Sequence, residues 1–231
     1  MESEKEKKKE EKKEGGKYGI MIGSGLASAV CGLDDNLTAL MVWNRIMRRF
    51  DPTIISLDAP QSEHSQKATE HGIRCEPIAL RLFQKLYPEY DLKPGGYWLN
   101  EDFPELYVDR PDGLLYDKQG NLVAVIEVKC PYGKLYSEVP PKYLLQCQYH
   151  LQHIKQAVKC FFFAVKFDHD DPENDTNPQP FLVEMERSKD YANWMWPRLY
   201  LFSKYLMDKE EPNQNLLRGK PPFVQVNRVL L

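Results

Sequence analysis

Across residues 122–130, "LVAVIEVKC", apolar positions run on until an acid and a base interrupt them. A short run of this kind, rich in β-branched residues, predicts a strand bound for a hydrophobic core. Side chains alternate along a strand. Ala124, Ile126 and Val128 therefore share one face, and Val123, Val125, Glu127 and Lys129 share the other. The first face is wholly apolar; the second ends in a carboxylate and an ammonium group. Upstream, "ELYVDRPDGLLYD" also has strand character, and the intervening "DKQGN" predicts a hairpin turn.

Elsewhere the apolar spacing is helical. "NLTALMVWNRIMRRF" sets Leu37, Leu40, Met41, Asn44 and Met47 at helical intervals, and a short helix begins among the small residues after Ser24. "SQKATEHGIRCEPIALRLFQKLYP" predicts a long helix ending by Pro88, with Gly72 and Pro77 leaving room for a kink or a break. "KYLLQCQYHLQHI" is a further helix, "VKCFFFAVKFD" a buried strand, and "FLVEMER" another strand beyond a polar loop. "SKDYANWMWPRLYLFSKYLM" closes the chain as a helix with a bend expected at Pro197. This order predicts a mixed α/β (α+β) domain, with a central mixed sheet flanked by helices.

Composition narrows the picture. With 231 residues, 42% apolar, and no Pro/Gly/Ser-rich linker, residues 17–231 read as a single domain. The opening "MESEKEKKKEEKKEGG" is low in complexity and has nothing to bury, so residues 1–16 are expected to be disordered. Its Glu residues cancel its Lys residues, which favours a solvated tail over a DNA tether or import signal. The net charge of −3 requires any nucleic-acid surface to be a local patch. Five scattered cysteines without a C-x-x-C pair argue against zinc or iron–sulfur sites and for reduced thiols. The charged N-terminus is unlike a secretory signal, and no apolar run approaches the roughly 20 residues of a membrane span. An intracellular location is expected, in the nucleus or cytoplasm of a eukaryotic or virus-infected cell.

The chemistry concentrates around Glu127. A buried carboxylate needs a partner, either a cation or a metal. Antiparallel pairing across the hairpin brings Asp112, from "RPDGL", close to Glu127 at one end of the sheet. Two adjacent carboxylates repel unless a divalent cation neutralises them, and oxygen ligands suit Mg²⁺ or Mn²⁺. Lys129 would then orient a water or offset charge on a phosphate. A structural ion-pair network bridged by Lys129 is the alternative account of the same three residues. Glu76 shares helical spacing with Ala79, Leu80 and Phe83, which places it at the edge of a core-facing stripe, where a lone acid is more often half-exposed. Gln146, Tyr149, His150 and His153 share one face of their helix, opposite Leu144, Cys147, Leu151 and Ile154. That face either leans over the acids or meets water. The two histidines are set aside as metal ligands, since no partner stands at matching spacing. Asp109, Asp117 and Glu138 read as surface or turn acids.

The pattern "PDG…EVKCP" resembles the metal-dependent PD-(D/E)xK nuclease superfamily, and within it the lambda-type exonucleases of phage recombination systems, the viral recombinase nucleases. "IMIGSGLASAV", "HGIRCEPIALRLF", "RPDGLLYD…IEVKCP", "YLLQCQYHL" and "FLVEMERSKDYANWMWPRLYLF" resemble the family's successive segments in order, over roughly residues 17–207. The resemblance implies a restriction-endonuclease-like core and a Mg²⁺-dependent, or Mn²⁺-dependent, exonuclease. It would degrade one strand of linear duplex DNA from the 5′ end, leaving 3′ overhangs for recombination or repair. It implies two metal ions on Asp112, Glu127 and the Val128 carbonyl, with Glu76 joining through water and Lys129 positioning or activating the attacking water. Gln146 and Tyr149 are expected at the DNA, and Ser24 at the 5′ phosphate. Lys17 stands where the family usually has an Arg for that phosphate, keeping the charge but losing the bidentate fork. Thr69 stands where lambda-type enzymes have an apolar wedge. Implied partners are double-stranded DNA ends, a single-strand annealing protein, and two further copies in a ring-shaped trimer, with no membrane. Alternatives within the same scaffold are a structure-selective or repair endonuclease and a non-catalytic DNA-binding module.

Overall fold

The apolar run at 122–129 lies inside a six-stranded sheet, covered on both faces. A computed structural model of the chain describes residues 21–168 and 171–230. The charged tail and Lys17 lie outside the described residues. In chain order the helices are α1 (Ser24–Val30), α2 (Ala39–Met47), α3 (Glu63–Leu86), α4 (Pro141–His153), α5 (Lys189–Asp208) and α6 (Gln214–Leu217). The strands are β1 (Asp91–Pro94), β2 (Trp98–Leu99), β3 (Val108–Asp109), β4 (Gly113–Tyr116), β5 (Leu122–Lys129), β6 (Lys159–Lys166), β7 (Gln179–Glu186) and β8 (Val226–Val229).

The sheet order is β1-β4-β5-β6-β7-β8, while β2 and β3 pair separately. β5 and β6 run parallel, and the other neighbours run antiparallel. A parallel pair needs a crossover, and α4 supplies it. The sheet is therefore mixed and flanked by helices, as the sequence order predicts.

Two apolar clusters lie on opposite faces of this sheet. Ala124, Ile126 and Val128 of β5 pack with Phe161 and Phe163 of β6 and with Cys75, Ala79 and Phe83 of α3. Val125 and Phe162 face the other way, into the layer built by α1, α2, α4 and α5. The three consecutive phenylalanines thus serve both layers. Burying each ring contributes about 2–3 kcal/mol.

α3 starts where the Ser62 side chain accepts the backbone N–H of Ser65. It then runs through Gly72 and Pro77 as one element. A proline inside a helix costs about 3 kcal/mol. Packing of Cys75, Ala79 and Phe83 against the sheet on both sides of Pro77 offsets that cost. α5 likewise continues through Pro197. In α2 the buried residues are Ala39, Val42, Trp43, Asn44, Ile46 and Met47. Leu37, Leu40 and Met41 are only partly buried. The core-facing stripe is therefore rotated from the expected one, toward the face that carries Val42, Trp43 and Ile46.

Two glycines fix the approach to β4. A Cβ on Gly113 would lie 2.7 Å from Leu92 Cδ1 and 2.9 Å from Ile126 Cγ2. A Cβ on Gly95 would lie 1.6 Å from the Pro111 carbonyl oxygen. The glycine of "PDG" therefore lets β1 and β5 close on β4, and Gly95 lets the β1–β2 turn lie against the residue before Asp112.

Candidate active site

The hairpin delivers two acids to one sheet end. Its turn is held by Asp117, whose carboxylate accepts the backbone N–H groups of Gln119 and Asn121 at 2.9 and 2.8 Å. Gly120 supplies the positive φ of 83° that the turn requires. The β4–β5 ladder closes on the pair Gly113–Ile126. Just beyond it, the Val128 backbone N–H donates to Asp112 Oδ2 at 2.6 Å. The N–H and C=O of one strand residue point to the same side. The Val128 carbonyl therefore also faces the Asp112 edge. Burial, the Glu127 charge and, more weakly, the Glu76 charge push the Asp112 carboxyl up to about 7, against the pull of Lys129 and the Val128 amide.

Glu127 lies on the opposite side of β5 from its apolar neighbours and is only 4% exposed. Its Oε1 accepts from Lys129 Nζ, and its Oε2 lies 2.8 Å from His150 Nε2. Burial raises the Glu127 pKa, but the Lys129 charge and the His150 contact outweigh it and hold the carboxyl below its usual range. Burial likewise opposes the charge on Lys129, and the charges of Glu127 and Asp112 overcome it and raise its pKa. Lys129 is thus a fixed cation. It also lies 5.2 Å from the Tyr143 ring centre.

Behind Glu127 stands a second acid. His150 Nδ1 lies 2.8 Å from both carboxylate oxygens of Asp109, and both side chains are fully buried. Asp109 is not the surface acid that its polar setting suggests. It is the last residue of the two-residue strand β3, too short for any alternation to reveal its direction. Nor does the α4 face carrying His150 lie open to water: Tyr149, His150 and His153 are buried and Gln146 is half-buried, because α1, β3, the sheet and α5 pack around the helix.

The remaining expected residues divide. Glu76 is exposed, one position beyond the buried stripe His71, Cys75, Ala79 and Phe83 that α3 presents. Its charge nonetheless reaches Asp112. Gln146 is half-buried on α4, and its Oε1 has no hydrogen-bond partner. Its Nε2 lies 3.4 Å from the place a Cβ on Gly25 would occupy, so the Gln146 amide rests against the start of α1 beside Ser24. Ser24 is half-buried and is the first residue of that helix. Tyr149 is a correction. It is fully buried, and its hydroxyl donates to the Ile22 carbonyl at 2.6 Å, so it ties α4 to the segment before α1 and cannot touch DNA. Thr69 is exposed on α3, its hydroxyl bonded back to Ser65 O at 2.9 Å.

The donor set suits a hard divalent cation. Among the described residues no three His, Cys, Asp or Glu side chains are grouped to hold a metal ion. Asp112, Glu127 and the Val128 carbonyl would offer such an ion oxygen atoms only, and water or a phosphate would have to complete its shell. Mg²⁺ is usually held by one or two carboxylates in this way. A carboxyl whose proton is retained to about pH 7 by burial and by a neighbouring acid is also one whose ionisation a cation would favour.

A mixed sheet with a P-D-G hairpin leading into E-x-K is the core of the PD-(D/E)xK class. The chain belongs to the YqaJ-like viral recombinase domain family, whose model matches residues 10–153. Its fold is similar to that of an alkaline exonuclease from Laribacter hongkongensis, with a TM-score of 0.61 and 16% identity over 84% of this chain and 91% of that one. A phage-related exonuclease from Haemophilus somnus 129PT gives a TM-score of 0.59 and 16% identity, over 84% and 97% of the two chains. No curated protein matches the chain by sequence. Among the described residues no helix is long and apolar enough to cross a membrane.

Proposed function

We propose that the protein is a divalent-metal-dependent deoxyribonuclease that degrades one strand of linear duplex DNA from its 5′ end, leaving 3′ single strands for recombination. The observation that carries this reading is the convergence of Asp112, Glu127 and Lys129 at the end of the β4–β5 hairpin, with the Val128 amide fixing Asp112. Family membership supports the nuclease class.

Asp112, Glu127 and the Val128 carbonyl are the groups to hold Mg²⁺ or Mn²⁺. Glu76 is the remaining acid available to a second ion through water. Ions held there would supply charge stabilisation to phosphodiester hydrolysis and would make a bound water more acidic. Glu127 and Asp112 favour the charged form of Lys129 in the metal-free protein, which suits a role in positioning or activating the attacking water and offsetting phosphate charge. His150 and Lys129 favour the ionised form of the buried Glu127. We assign the end of the substrate strand to Gln146 and Ser24, which lie side by side at the start of α1. Such contacts address phosphates rather than base edges, so cleavage is independent of sequence. A ring-shaped trimer and a single-strand annealing partner form part of the same reading.

The test uses linear duplex carrying a 5′ phosphate and a label on one end, alongside the same DNA as a closed circle. Loss of the 5′-ended strand in Mg²⁺, abolished by EDTA, with the circle intact, is the expected result. Degradation insensitive to EDTA overturns the metal reading. A circle cut as fast as the linear form points to an endonuclease.

A further inference from the structure

The chain places an acid–imidazole pair behind the candidate metal carboxylate. We infer that Asp109 and His150 are positioning residues for Glu127, fixing its carboxylate for the metal ion. This rests on the metal-nuclease reading and adds to it two residues that touch neither metal nor DNA.

Three facts about placement support it. First, both ring nitrogens of His150 face carboxylate oxygens at 2.8 Å, Nδ1 toward Asp109 and Nε2 toward Glu127. Both nitrogens must then carry hydrogen, and the ring orientation is fixed from both ends. Second, Asp109 and His150 are wholly buried, and Glu127 nearly so. Burying acids and an imidazole where apolar side chains would pack is unfavourable unless every member is paired. Third, the three residues come from three separate elements, β3, β5 and α4. The pair therefore reports the relative placement of those elements directly to Glu127.

With Oε2 held by His150 and Oε1 by Lys129, the Glu127 carboxylate has one orientation. A metal ligand that is already oriented pays less entropy on binding the ion. Carboxylate–imidazole pairs that orient metal ligands from outside the coordination sphere typically change metal affinity or activity 10- to 100-fold when removed. The Asp109–His150 pair has that arrangement, with the imidazole on the outer side of a ligating carboxylate.

The experiment is a Mn²⁺ titration of the DNA-free protein, read by the electron paramagnetic resonance signal of free Mn²⁺. It compares wild type with His150→Ala, His150→Gln and Asp109→Asn, each checked for folding by circular dichroism and thermal melting. His150→Ala is expected to weaken Mn²⁺ binding about 10- to 100-fold. His150→Gln keeps one donor toward Glu127, and its loss should stay within about threefold. Asp109→Asn, nearly isosteric, should fall between the two and carries the test if His150→Ala does not fold. Folded His150→Ala or Asp109→Asn protein that binds Mn²⁺ as tightly as wild type overturns the inference alone. Wild type that binds no Mn²⁺ and degrades no DNA removes the metal-nuclease reading, and this inference with it.

Discussion

The Val128 backbone N–H donates to Asp112 Oδ2 across 2.6 Å, one step past the last ladder pair of the β4–β5 hairpin. That hydrogen bond turns the Asp112 carboxylate toward the edge of β5, where the Val128 carbonyl also points. Glu127 leaves the same strand one residue earlier, on the α4 side. The hairpin thus sets two acids from residues 15 positions apart at one place.

The raised Asp112 pKa has a stability consequence. Its folded value of about 7 lies above the usual 3.8, so the proton it holds stabilises the metal-free fold at low pH. That contribution is complete below about pH 4 and is lost as pH rises through about 7. Asp112→Asn removes the charge and keeps an acceptor for the Val128 amide. At pH 8 without metal the variant should be more stable than wild type by up to about 4 kcal/mol, with no advantage at pH 4. Urea melts at the two pH values check this. DNA degradation by the same variant should be reduced at least about 10³-fold.

The same proton competes with metal. Below about pH 7, Mn²⁺ affinity should fall by about tenfold per pH unit, and above it the affinity should level off. Calorimetric titrations between pH 5.5 and 8.5 measure the slope. A pH-independent affinity would place the metal away from Asp112.

Lys129 separates binding from chemistry. Replacing it with Met leaves Glu127 one donor, His150, and removes a cation from beside the metal carboxylates. Mn²⁺ affinity should hold or tighten, while kcat should fall about 10²-fold or more. Equal losses in affinity and rate would make Lys129 a structural cation only.

Tyr149 should behave as a structural residue. Tyr149→Phe deletes the hydroxyl that reaches the Ile22 carbonyl and should destabilise the fold by about 1 kcal/mol. Affinity for duplex ends in Ca²⁺ should be unchanged. Weaker DNA binding at unchanged stability would return Tyr149 to the DNA surface.

Gly95 links turn geometry to the site. Gly95→Ala pushes a methyl group into the Pro111 carbonyl, next to Asp112, and should destabilise the protein by about 1–3 kcal/mol or more. Activity of the folded fraction should fall as well, because Pro111 cannot yield without moving Asp112. Specific activity measured per mole of folded protein separates the two effects.

Much of this geometry was legible in the residues. The alternation in "VAVIEVK" divides β5 between two core layers, Val125 to one and Ile126 to the other. "PDG" and "DKQGN" set the register that joins Asp112 to Glu127. What could not be read shares one physical cause, local patterns too short or too uniform to carry a direction. β3 has two residues, so nothing in "YVDRPD" shows Asp109 turning inward. α4 is enclosed on nearly all sides, so spacing cannot tell a buried His150 or Tyr149 from a solvated one. Glu76 sits one position from the buried stripe, within the tolerance of a helical repeat. The edge strands β1 and β8, four residues each, lack the length for a pattern. His150 had one usable signal: an imidazole one turn after Gln146, on the helix that crosses over from β5.

The most direct measurement is anomalous diffraction from crystals soaked in Mn²⁺. The account predicts a peak bounded by Asp112, Glu127 and the Val128 carbonyl oxygen, lost in crystals of Glu127→Ala. No peak there at saturating Mn²⁺, with Glu127 still clasped between Lys129 and His150, would contradict it and leave these residues an ion-pair network of the core.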